Sequence, residues 1–167
     1  MITNNFRKIL NYMFNNTTLL VADNIVGLDG EIITFTNGDS IPLNYLSKSK
    51  QAILTSDSTT TEGVFIAYGN GTTIATSNDY NLESEIKDLT LSLLGNSVSI
   101  TDNGYIVTSS IKNTSNEDII IKELGMFETS KSEYGDRDTF MLTRNVLETP
   151  ITIMPNEIKT FTVTINF

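Results

Sequence analysis

Acidic side chains are the groups in this chain whose type and spacing come nearest to chemistry. Glu83, Glu85 and Asp88 lie close together, as do Asp136 and Asp138. Two carboxylates hydrolyse a glycoside when one is held protonated in a cleft and the other stays ionised. The polar neighbours of these residues place them toward solvent, and the chain has no Trp to act as a platform for a sugar ring. It also has no His and no Cys, which removes His-assisted serine or cysteine hydrolysis and zinc sites with nitrogen or sulfur ligands. The run Gly69-Asn70-Gly71-Thr72-Thr73 exposes backbone N–H groups as a phosphate cradle does, yet no Lys follows it as in a nucleotide-binding P-loop, so a tight turn is expected. Asn37-Gly38-Asp39 and Asp102-Asn103-Gly104 offer oxygens to calcium but lack the spacing of an EF-hand loop, and read as hairpin turns. No catalytic residue, cofactor or metal ligand is assigned, and the chain reads as a non-enzyme.

Bulk properties narrow the partners. A formal net charge of -9 and a pI near 4.4 oppose binding to nucleic acid, which calls for clustered Lys and Arg, and would repel an anionic membrane. Hydrophobic residues make up 39% and charged residues 19%, as in a folded chain with a polar surface. No run approaches the roughly twenty apolar residues that cross a bilayer. The opening segment carries the basic pair Arg7 and Lys8, but Asn11, Asn15 and Asn16 interrupt its apolar run, so it is read as mature protein without a signal peptide. Glycosylation sequons at Asn15, Asn16, Asn70 and Asn113 carry weight only in a chain secreted by a eukaryote.

The elements that would position these residues are strands. Residues 5–14 place Phe6, Ile9, Leu10 and Met13 at helical spacing and predict a short helix. Such a helix packs on its own domain or docks on a neighbour. Residues 31–36 and 40–46 flank Asn37-Gly38 and predict a hairpin whose second strand, with Pro42, lies at an edge. A Ser/Thr/Asp tract near residues 57–62 marks a module boundary or a long surface loop, and the chain is divided there into a docking segment (1–60) and a β module (61–167). In the second part, strands are expected at 64–68, from Leu89 onward, and at 97–100, 104–112, 118–127, 139–146 and 158–167. In the last of these, Phe161, Val163, Ile165 and Phe167 alternate with Thr160, Thr162, Thr164 and Asn166, so the four apolar residues are the expected core. The fold class is mainly β, an antiparallel β-sandwich of jelly-roll or Ig-like type with a short N-terminal helix and hairpin.

Three segments carry a likeness. VFIAYGNGTTIATSNDYNLESEI (64–86), SIKNTSNEDIIIKELGMFET (110–129) and MLTRNVLETPITIMPNEIKTFTVTINF (141–167) resemble a β module of tailed-bacteriophage virion proteins. That module has a Gly-rich turn, an Asp-Tyr-x-Leu-Glu element, an Ile-x-Glu-Leu-Gly-Met-Phe strand and a closing Arg-x-Val-Leu-x-x-Pro-Ile-x-Ile. Ile74 and Ala75 stand where it usually has Pro after the Gly-Thr-Thr turn. The resemblance implies localisation to the virion and a structural role as a homo-oligomer among other capsid or tail components: capsid decoration or head-fibre attachment, or a tail, collar or baseplate position. Phe6, Ile9, Leu10, Met13 and Phe14 are the expected docking residues. A different class of reading is a carbohydrate-binding host-recognition module with Tyr68, Tyr80, Tyr105 and Tyr134 as platforms.

Overall fold

The computed structural model describes residues 1–8, 26–32, 63–87, 90–101, 104–131 and 137–166. Six strands follow one another: β1 (Gly63–Gly69), β2 (Leu91–Thr101), β3 (Gly104–Asn113), β4 (Ile119–Lys131), β5 (Arg137–Ile153) and β6 (Ile158–Asn166). They form two three-stranded antiparallel sheets, in the orders β1-β4-β5 and β2-β3-β6. Val64, Ile66, Tyr68, Met126, Phe140 and Leu142 of the first sheet share one core with Val107, Ile111, Phe161 and Ile165 of the second, so the architecture is a β-sandwich. The alternation along β6 holds as expected: Phe161 and Ile165 are buried, Val163 is half-buried against the core, and Thr160, Thr162 and Thr164 are exposed. Phe167 lies outside the described residues.

The outer face of the second sheet is polar. Across it Ser110 pairs with Thr160 at 2.8 Å and Thr108 with Thr162 at 3.4 Å, as cross-strand hydroxyls do on a solvated face. The first sheet is covered on both faces. On the side away from the sandwich core, Ala67, Phe127 and Met141 pack with Leu82, and Phe65 stacks on Phe127 with ring centroids 5.7 Å apart. Gly125 makes room for this layer, since a Cβ there would stand 2.9 Å from Leu82 Cδ2.

Register shifts in the β4–β5 pair decide which side chains face which way. On β5, Met141 pairs with Phe127 and Thr143 with Met126, which leaves Leu142 as an extra residue; Arg144 then pairs with Gly125. On β4, Ile121 pairs with Ile151 and Glu123 with Val146, so residues 147–150 of β5 bulge away. Pro150, which has no N–H for a ladder, sits in that bulge. Sequence reading ended this strand at Val146; it runs to Ile153 because the bulge absorbs the proline.

Two further ties close the ends. Asn113 is fully buried, and its side chain donates to Glu117 O and Ile153 O at 2.8 Å each while accepting from Ser115 N and Oγ. Its amide is thus consumed inside the fold, so the Asn113 sequon offers no free side-chain nitrogen. The turn before β6 places Asn156 at φ 64, a left-handed conformation Asn tolerates, and the Asn156 N–H donates to Asn113 O at 2.9 Å. The expected N-terminal helix appears as a helical turn over residues 4–8. Of the expected hairpin, Ile32 bridges back to Val26, while Asn37-Gly38 and the returning strand lie outside the described residues.

Candidate functional site

The buried Arg144 stands at the centre of an ionic cluster. Its side chain is 4% exposed, and Nε donates to Glu123 Oε2 at 2.8 Å while Nη1 donates to Asp79 Oδ2 at 2.9 Å. Glu83 Oε2 lies 3.6 Å from Nη2. The two register shifts in the β4–β5 pair put Glu123 and Arg144 on the face away from the sandwich core, where the loop after β1 brings Asp79 and Glu83 over them.

Three carboxylates around one guanidinium leave negative charge uncompensated by cations, and backbone N–H groups offset it. Glu123 Oε1 accepts from Gly71 N at 3.1 Å and Ser84 N at 2.8 Å, and Oε2 accepts from Glu83 N at 3.2 Å. Glu83 Oε2 accepts from Thr72 N at 2.6 Å and Thr73 N at 2.7 Å, and the Thr73 hydroxyl donates to its other oxygen. Asp79 accepts from Thr76 N at 2.9 Å and from Thr76 Oγ1 at 2.8 Å. The Gly69–Thr73 run does cradle an anion with successive N–H groups, but the anion is supplied by the protein's own glutamates. Its glycines are steric necessities: a Cβ on Gly71 would meet Glu83 Cβ at 2.6 Å, and one on Gly69 would meet Ser84 O at 2.7 Å.

The electrostatics hold Asp79, Glu83 and Arg144 in their charged forms. Burial works against ionisation of Asp79, but hydrogen bonds from Thr76 and Arg144 outweigh it and hold the carboxyl below its ordinary value. The Thr73 hydroxyl and N–H do the same for Glu83. Burial opposes the charge on Arg144, and its bonds to Asp79 and Glu123 overcome this and hold it above its ordinary value. Carboxylates depressed in this way are poor general acids. The chemical capacity of the arrangement is to clamp three distant stretches of chain together rather than to move protons.

Arg144 also meets the amino-terminal segment through its main chain. The Met1 amino group donates to Arg144 O at 2.6 Å, Arg144 N donates to Met1 O at 3.0 Å, and Thr3 N donates to Leu142 O at 3.0 Å. Asn4 binds the loop that carries Asp79, through Ser77 O at 2.8 Å and Asn78 Oδ1 at 2.9 Å. The cluster therefore stiffens the platform on which the first residues sit.

The residues singled out in the sequence are scattered. Phe6 is 3% exposed and belongs to the sandwich core, so its side chain is engaged within its own domain; Ile9, Leu10, Met13 and Phe14 lie outside the described residues. Glu85 is exposed and bridges Gly69 through its backbone. Asp138 is on β5 opposite Ser130, and Asp88 and Asp136 lie outside the described residues. Tyr68 is not a surface platform: it is buried against Phe161, with centroids 4.9 Å apart, and burial pushes its hydroxyl up to about 12. Tyr80 is 42% exposed, Tyr105 pairs with Ile165 in the second sheet, and Tyr134 lies outside the described residues. Sequence reading did not single out Glu123 or Arg144. The available signal was charge inside two apolar strands, Lys122 and Glu123 in IIIKELGMF and Arg144 in FMLTRNVL.

No protein-family model, curated protein or solved structure matches this chain.

Proposed function

We propose that this chain is a non-enzymatic structural protein of a tailed-bacteriophage virion, acting in capsid decoration or head-fibre attachment as repeated copies. The observation that carries the reading is the convergence of the three resembling segments. Asp79 and Glu83 come from the first, Glu123 from the second and Arg144 from the third, and they meet in one cluster around the buried Arg144 guanidinium. Residues that carry the likeness are thus those that lock the module's interior, as a shared structural unit requires. Small sandwiches of this kind suit assembly, since one contact repeated at symmetric positions gains affinity through multivalency.

Light scattering on purified protein, with imaging of labelled protein on phage particles, tests this. Stable oligomers and label on the head are expected. Label at the neck or tail tip would move the assignment to a collar or baseplate position. A monomer that binds no particle would overturn the structural role, and capture of host polysaccharide by such a monomer would favour glycan recognition.

A further inference from the structure

Four polar side chains point into the space between the two sheets. On β3, Ser109 lies between the core residues Val107 and Ile111 at two-residue spacing, so it shares their inward face, as does Asn96, its direct partner on β2. On β1, Val64 and Tyr68 both belong to the core, and Glu128, the β4 partner of Val64, faces the same way. These side chains are neighbours across the sandwich. Asn96 Nδ2 reaches from the second sheet to Val64 O in the first, at 2.7 Å, and so arrives beside Glu128. Tyr68 packs its ring on Phe161, the other cross-strand partner of Ser109. That brings the Tyr68 hydroxyl to the Ser109 side chain without closing a hydrogen bond between them.

Tyr68, Ser109 and Glu128 are 6%, 1% and 2% exposed, and Tyr68 Oη, Ser109 Oγ and Glu128 Oε2 find no hydrogen-bond partner among the described residues. Leaving one such group unsatisfied costs about 1–3 kcal/mol. Three together would take a large part of the margin by which a small domain is stable, about 5–15 kcal/mol. Phe, Ala and Met at these positions would fill similar space without that cost, so the fold keeps polarity here that its own side chains do not satisfy. What satisfies it must be small, because the atoms lie inside a packed core. It must also donate and accept, because two of the three atoms are hydroxyl oxygens and the third belongs to a carboxyl that burial keeps protonated at neutral pH. Among the described residues no group of three His, Cys, Asp or Glu forms a metal-ligand set here. Water meets the requirements, since a buried molecule typically makes about three hydrogen bonds to groups of this kind. We propose that the sandwich interior binds a structural water that joins Glu128 of the first sheet to Ser109 of the second. The Glu128 carboxyl donates to the water, the water donates to Ser109 Oγ, and the Ser109 hydroxyl is left to donate to Tyr68 Oη. This bridge adds a polar tie between the sheets beside the one from Asn96 to Val64, and it stands independently of the virion reading.

Water-oxygen magnetic relaxation dispersion counts the molecules held inside a protein for longer than it takes to tumble. Glu128→Gln keeps a donor and an acceptor and should keep the water. Glu128→Met fills the same space with an apolar chain, and its count should fall by one molecule relative to the wild type. A crystal structure of the wild type is a second measurement that needs no variant, and a solvent peak within hydrogen-bonding distance of both Glu128 Oε2 and Ser109 Oγ is expected. An equal count in the wild type and Glu128→Met overturns the site. So does a wild-type interior in which Glu128 and Ser109 bond directly to protein groups with no solvent between them. Should Glu128→Met fail to fold, the crystal structure decides alone.

Discussion

Glu128 stands on β4 between its cross-strand partners Val64 and Phe140, both members of the sandwich core. It is 2% exposed, and its Oε2 finds no hydrogen-bond partner among the described residues. Burial pushes its pKa up to about 8, against about 4.3 in an unfolded chain. Folding therefore takes up a proton at neutral pH. The stability linked to this group is fully present below the unfolded value and is lost as pH rises from there through about 8, with a slope of about 1.4 kcal/mol per pH unit inside that window. Glu128→Gln keeps the shape without the proton, so its denaturant midpoint should gain on the wild type progressively across that range. Parallel stability profiles for the two proteins would show that Glu128 ionises freely in the fold. Asp79 acts in the opposite sense: its depressed carboxyl contributes above its unfolded value and loses that contribution as acid protonates it in the folded state.

At the scale of elements, the Gly69–Thr73 loop is shaped by what it wraps. Gly69→Ala would place a methyl 2.7 Å from the backbone oxygen of Ser84 and 2.6 Å from Glu123 Cγ, and a backbone atom held by the Asn70 N–H at 2.9 Å does not yield easily. A loss of about 1–3 kcal/mol is expected, read as a lower thermal midpoint. Gly95→Ala is the control, because a Cβ there has nothing within 4 Å and should change the midpoint little. An equal effect at both positions would show that backbone freedom, not the packed carboxylate, is what Gly69 provides. Strands β1, β3 and β6 were legible in the sequence because strand-forming residues run unbroken between Gly, Asn and Pro turns, with a strict apolar/polar alternation along β6. The end of β5 was not, since Pro150 reads as a strand breaker until a bulge is known to remove its N–H from the ladder.

Across the whole molecule, Arg144 joins residues from three separate stretches of chain. Arg144→Met leaves Glu123 buried without its cation and should cost about 3–5 kcal/mol, whereas adding Glu123→Leu removes the stranded charge and should restore much of the loss. Denaturant unfolding of the two single variants and the double variant measures this coupling. If the losses simply add, Arg144 and Glu123 contribute independently and the cluster is not a clasp. The same clasp bears on the first residues, because Arg144 fixes the strand edge on which Met1 and Thr3 sit.

Composition and alternation by themselves determined the chemistry this chain lacks and the class of fold it adopts. A sequence without His or Cys excludes whole families of mechanism, and period-two patterning says which residues of a strand share a face. That reasoning holds only up to a register shift. Leu142 and the 147–150 bulge each reset the alternation, and pairing between strands, which local sequence does not encode, sets where those shifts fall. Tertiary structure alone therefore decided that Glu123 and Arg144 share a face, and that Asp79 and Glu83 close over them. It also placed Phe6, on an amphipathic stretch equally suited to docking outside, within the domain's own core.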